Sequence, residues 1–118
     1  MNRPLTDTER ALVLWMLEHG TSEAASFIPQ LEKAEVTSWR CPCGCASLHF
    51  SIRGCSQPPA GMHPIADFIF GTGEDLNGIF VYEQDGILGG VEVYGLPGEA
   101  SKSLPQPEAL RPFPGKAV

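Results

Sequence analysis

The chain is predicted to be an α+β domain, with an N-terminal helical hairpin packed on one face of a mostly antiparallel sheet of four to five strands. Three observations carry that prediction. Apolar residues recur with a helical period up to about Ala34, they recur with a period of two from Glu35 onward, and Asp85-Gly86 marks a tight turn between two strand-like runs.

The first helix is announced by Thr6-Asp7-Thr8-Glu9, a capping box in which the threonine hydroxyl and the glutamate carboxylate satisfy each other's backbone amides. Leu12, Trp15, Met16 and His19 then recur on one face, and Val13, Leu14 and Leu17 widen the apolar zone. Gly20 reads as a left-handed C-terminal residue, and His19 in the last turn complements the helix dipole. Thr21-Ser22-Glu23 offers a second N-cap, after which Ala25, Phe27, Ile28 and Leu31 can face the same core. A proline inside a helix costs ~3 kcal/mol, so Pro29 predicts a kink, or a break into two short turns, near Ser26 to Pro29.

From Glu35 the alternation of Val36, Ser38 and Arg40 with Thr37 and Trp39 predicts a strand running into Cys41. Leu48, Phe50 and Ile52 then point inward while Ser47, His49 and Ser51 point outward. Arg53 to Pro64, broken by Gly54, Pro58, Pro59 and Gly61, reads as a loop, and Ile65 to Phe70 as the next strand. Ile79 to Gln84 and Ile87 to Tyr94 form a hairpin about Asp85-Gly86. Counting back from the turn sets Gln84 opposite Ile87, Tyr82 opposite Gly89 and Phe80 opposite Val91. Phe80, Tyr82, Ile87, Val91 and Val93 are then expected to meet the helices. The other face would carry Ile79, Val81, Leu88 and Tyr94, interrupted by Glu83 and Glu92. Residues 1–96 are assigned to the domain. Residues 97–118, with five prolines, are assigned to a tail that is either extended over the second sheet face or partly disordered.

Composition narrows the function. With 118 residues and 42% hydrophobic content, one domain can bury roughly 65% of its unfolded surface. Eight basic against fourteen acidic residues, a net charge of −6, leave no basic stripe to neutralise phosphates, so a nucleic-acid partner is excluded. The same charge suits a basic protein partner, although solubility alone is reason enough for it. No leader-like or membrane-spanning apolar run is present, so no membrane partner and a cytoplasmic location are expected. In that reducing setting four cysteines read as thiols or metal ligands before disulfides.

Cys41-Pro42-Cys43-Gly44-Cys45 is the stretch with chemistry in it. Sulfurs around a tetrahedral zinc ion lie about 3.8 Å apart, whereas alternate residues of a flat strand are ~6.6 Å apart along the backbone. Pro42 and Gly44 bend the chain, so the three thiolates can converge on one ion. Cys55 is the expected fourth ligand, with His63 a weaker one and His49 too far along its strand. Two readings remain beside zinc: reduced thiols that merely occupy a turn, and a disulfide or redox pair, which would first involve Cys55 because a C-x-C disulfide closes a cramped ring, with Arg40 and Arg53 nearby. Gly71-Thr72-Gly73 is no phosphate cradle, because acids and not a helix follow it. Cys55, His63 and Asp67 make a nucleophilic triad only on paper.

Leu5-Thr6-Asp7-Thr8-Glu9, Cys41 to Ser47, and Asp85 to Tyr94 followed by Leu104-Pro105 together resemble a group of small bacterial proteins of unassigned function. The resemblance covers most of residues 5 to 110. It implies a bacterial, cytoplasmic, single-domain protein and brings no activity, ligand or catalytic residue.

The reading that follows is a non-enzymatic binding domain. Its cysteine turn, with Cys41, Cys43, Cys45 and Cys55, would hold a structural zinc, and its second sheet face would be open to a protein partner or a second copy. The alternatives are a thiol-redox or thiol-transfer enzyme, and an acidic inhibitor or immunity-like protein that neutralises a basic partner.

Overall fold

Residues 2–55 and 61–112 are described by the structure, a computed structural model. In chain order the elements are β1 (Arg3–Pro4), α1 (Asp7–His19), α2 (Ile28–Leu31), β2 (Ala34–Val36), β3 (Leu48–Ile52), β4 (His63–Phe70), β5 (Asn77–Gln84), β6 (Ile87–Gly95) and β7 (Arg111–Pro112). All strands join one sheet in the order β1-β2-β3-β6-β5-β4-β7, and every pairing is antiparallel. The α+β class is therefore as predicted. Among the described residues the strand count is seven and not four to five, because β1 and β7 are two-residue edges too short to leave a periodic signal. None of the described helices is long and apolar enough to cross a membrane.

Both halves of the capping box form: Glu9 N donates to Thr6 Oγ1 at 3.1 Å, and Thr6 N donates to Glu9 Oε1 at 2.9 Å. α1 buries Leu12, Val13, Met16 and Leu17. Trp15 is half-buried against Phe68 and stacks on His19, whose Nδ1 bonds the Trp15 carbonyl at 2.8 Å. Gly20 is not left-handed; its φ is −86° and ψ −150°. Glycine is required there for a different reason. A Cβ would collide with the Ile65 carbonyl and the Ala66 side chain, where the chain leaving α1 presses on β4.

The helical hairpin does not form as a pair of helices. A 3-10 turn, Ala24–Phe27, runs straight into the four-residue α2. Pro29 falls in the first turn of α2, where its missing N–H removes no intrahelical bond, so the break expected near Ser26 to Pro29 is a clean restart.

The β5–β6 hairpin turns at Asp85-Gly86 as predicted, but its register slips by one residue. Gln84 faces Ile87 and Glu83 faces Leu88, after which Tyr82 faces Gly90, Val81 faces Val91 and Phe80 faces Glu92. The extra residue makes a bulge at Gly89-Gly90, with Gly90 at φ 155° and the Tyr82 ring lying across both glycines. One inserted residue inverts the expected faces of β5 and of Ile87-Leu88, while Val91 and Val93 stay on the helix side as expected. Ile79, Val81, Leu88, Val91 and Val93 are each at most 1% exposed and form the core beneath the helices. Phe80 and Tyr82, expected there, lie on the other face, where Phe80 sits 6.0 Å from the rings of both Tyr82 and Tyr94.

The described part of the tail belongs to the helix side of the sheet. Leu110 is buried in the core, Ala100 and Leu104 pack against it, and a 3-10 turn at Pro107–Ala109 leads into β7 beside β4. The expected loop and tail also include residues 56–60 and 113–118, which lie outside the described residues.

Candidate metal centre

β2 ends at Val36, earlier than its alternation suggested, and the next eleven residues form the loop that carries the cysteines. Within it, Gly44 N donates to the Cys41 carbonyl at 2.9 Å and closes a four-residue turn. Pro42 presets the second position of that turn, and Gly44 takes the φ of +84° that a side chain would resist.

Two contacts to distant parts of the chain hold the end of the loop, and a third anchors the tail it rests on. β3 pairs with β6 only at Leu48 and His49, and one step earlier Ser47 continues the pairing with its side chain. Ser47 Oγ accepts from Val93 N at 2.9 Å, and the residue is 5% exposed. Ala46 N donates to the Ser101 carbonyl at 3.0 Å, while Ser101 N donates to Asn77 Oδ1 at 2.7 Å. Asn77 is itself 3% exposed, so the tail is tied through it to the core strand β5.

On this frame the sulfurs of Cys41, Cys43 and Cys45 all lie within 4.8 Å of one another, an arrangement that can hold a metal ion. Cys41 and Cys43 are in contact at 2.8 Å, Cys45 N donates to Cys43 Sγ at 3.3 Å, and Cys45 Sγ meets Ser47 Oγ at 3.2 Å. A tetrahedral ion needs sulfurs about 3.8 Å apart, so the closest pair opens by about 1 Å to receive one. Cysteine side-chain rotation supplies such a movement without disturbing the turn.

Cys43 and Cys45 shift in opposite directions. Hydrogen bonds with Cys41 and then Cys45 push the Cys43 thiol up to about 11. Burial pushes Cys45 up, but hydrogen bonds from Ser47, Cys41 and Cys43 together outweigh it, and its net shift is downward. Cys45 thus ionises more readily than Cys43, and a bound cation would draw the proton from Cys43. The hollow beside the sulfurs is also lined by Glu92 and Glu99, and burial raises the Glu92 carboxyl.

Cys55 is not brought to the cluster. It is exposed just past the far end of β3, its N bonded to the Ile52 carbonyl at 3.0 Å, so the length of a five-residue strand, roughly 13 Å, stands between. His63 is engaged elsewhere, its Nδ1 on Glu83 at 2.5 Å and its Nε2 3.6 Å from Glu23. His49 stacks flat on Trp39 at 3.7 Å. Sequence reasoning set Ser47 facing outward, whereas it is buried, and missed Asn77 and Ser101; the partners stand 24 and 46 residues away and leave no local signal. No protein-family model, curated protein or solved structure matches the chain.

Proposed function

We propose that the protein is a small non-enzymatic binding domain whose centre is a zinc ion held by Cys41, Cys43 and Cys45. The observation that carries this reading is the convergence of the three sulfurs within 4.8 Å. Soft thiolates favour zinc over hard cations such as magnesium or calcium. The fourth position falls to a water, since no carboxylate of the described residues joins the three sulfurs within 4.8 Å. Zinc there ties the 37–47 loop into one rigid block with Ser47 and Ser101, which presents a fixed surface for recognition.

The test is the metal content of protein purified without chelator. One zinc per chain is expected, unchanged in Cys55→Ser and reduced at least about tenfold in affinity in Cys45→Ser. Zinc that is absent from the wild type, or that follows Cys55 and not Cys45, would sink the reading.

The 2.8 Å contact of Cys41 with Cys43 supports one other function, a thiol–disulfide couple. The two thiols would give up two protons, and two electrons to an external disulfide, to form the Cys41–Cys43 bond. Metal-free protein with two thiols that react only after reduction would favour this reading over zinc.

A further inference from the structure

The protein carries eight Lys and Arg in a chain of net charge −6, yet three of the eight line a single cleft of about 500 Å³. The cleft lies between the start of α1, the cysteine loop and the tail, on residues as far apart in sequence as Arg3 and Leu104. Arg3 is already engaged, its guanidinium holding Glu9 through two bonds of 2.9 Å. That leaves Arg40 and Lys102, neither of which has an ion-pair partner among the described residues. Two uncompensated cations that share one concavity repel each other, and an anion between them removes that repulsion.

The remaining lining fits the same ligand. Thr8, Thr37 and Ser103 bring hydroxyl donors, and the first turn of α1 adds the positive end of a thirteen-residue helix. Trp39, 37% exposed, and Leu104 supply an apolar wall. The size is that of a metabolite site, and the planar fork of arginine matches the oxygens of a phosphate or carboxylate. Cys41 and Cys45 border both this cleft and the acid-lined hollow beside the sulfurs, so the cysteine turn stands as a wall between a cation-attracting side and an anion-attracting side.

We propose that this cleft is a binding site for a small molecule bearing an oxyanion, which Arg40 and Lys102 clasp while its body rests on Trp39 and Leu104. The site does not rest on the zinc reading, because the groups that clasp the anion, Arg40 and Lys102, are not the thiols that border the cleft.

Pyrophosphate and citrate are the probes, titrated calorimetrically into metal-free protein so that no bound ion can bridge them, with Trp39 emission as a second readout. Saturable binding of at least one probe is expected, weakened about tenfold or more in Arg40→Ala/Lys102→Ala and unchanged in the control Lys33→Ala/Arg53→Ala. Which probe binds separates a phosphate ligand from a carboxylate one. Lys102→Glu alone, a charge reversal at an exposed position, should abolish binding and guards against a folding defect in the double variant. Failure of both probes at millimolar concentration, or binding that survives loss of Arg40 and Lys102, overturns the proposal whatever the metal content.

Discussion

His63 is held between two carboxylates, Glu83 at 2.5 Å and Glu23 at 3.6 Å, and so links the start of β4 to the β5–β6 turn and to the 3-10 turn after α1. Its hydrogen bond to Glu83 is the main cause of a raised imidazole pKa, with the Glu23 charge adding to it. The same bond lowers the Glu83 carboxyl. A raised histidine stabilises the fold fully below its unfolded value near 6.5 and loses that effect as pH rises through the folded value. A lowered glutamate stabilises above its unfolded value near 4.5 and loses the effect as pH falls through the folded one. The pair is therefore at full strength between those two values. NMR titration should place the His63 midpoint above the ordinary histidine value and bring it back toward that value in Glu83→Gln. A His63 midpoint indifferent to that substitution would mean that the contact is absent in solution.

At the scale of elements, the exit from α1 separates two explanations of one glycine. If Gly20 were a left-handed cap, Gly20→Asn would be tolerated far better than Gly20→Ala, because asparagine visits that region readily. In the extended conformation observed, the obstacle is the backbone and side chain of β4, so both substitutions meet the same wall. Each should destabilise by roughly 1–3 kcal/mol in urea unfolding, with asparagine giving no rescue. The β5–β6 hairpin teaches a related lesson. Its turn is written in Asp85-Gly86, but the faces of its strands are set by the bulge four residues later, which the Tyr82 ring covers.

For the whole molecule, the tail closes the fold. Leu110 completes the core, Leu104 packs on it, Ser101 ties the cysteine loop to Asn77, and β7 covers the outer edge of β4. Truncation after Leu96 removes all of these at once. The expected loss is about 3 kcal/mol or more from the two leucines alone, read as a lower urea midpoint, and metal binding should weaken with it. A truncated chain within about 1 kcal/mol of the full one would show that residues 97–112 only decorate a finished domain.

What the sequence determined by itself is whatever depends on neighbours a few residues apart. The Thr6-Glu9 capping box, the α1 period, the restart at Pro29, the Asp85-Gly86 turn and the bend that gathers Cys41, Cys43 and Cys45 were all legible because each is closed by bonds within about one turn of chain. The α+β class follows from the change of period between them. Only the tertiary structure decided which face of β5 and of Ile87-Leu88 is buried, because two adjacent glycines permit a bulge without announcing one, and the pairing parity between the two strands depends on it. It also decided that Cys55 stands apart from the other cysteines, and that Ser47, Ser101, Arg40 and Lys102 surround them. Those placements depend on pairings across 24 to 56 residues, such as Ser101 with Asn77, Ser47 with Val93 and Gln30 with Gly86, where the chain alone carries no distance information.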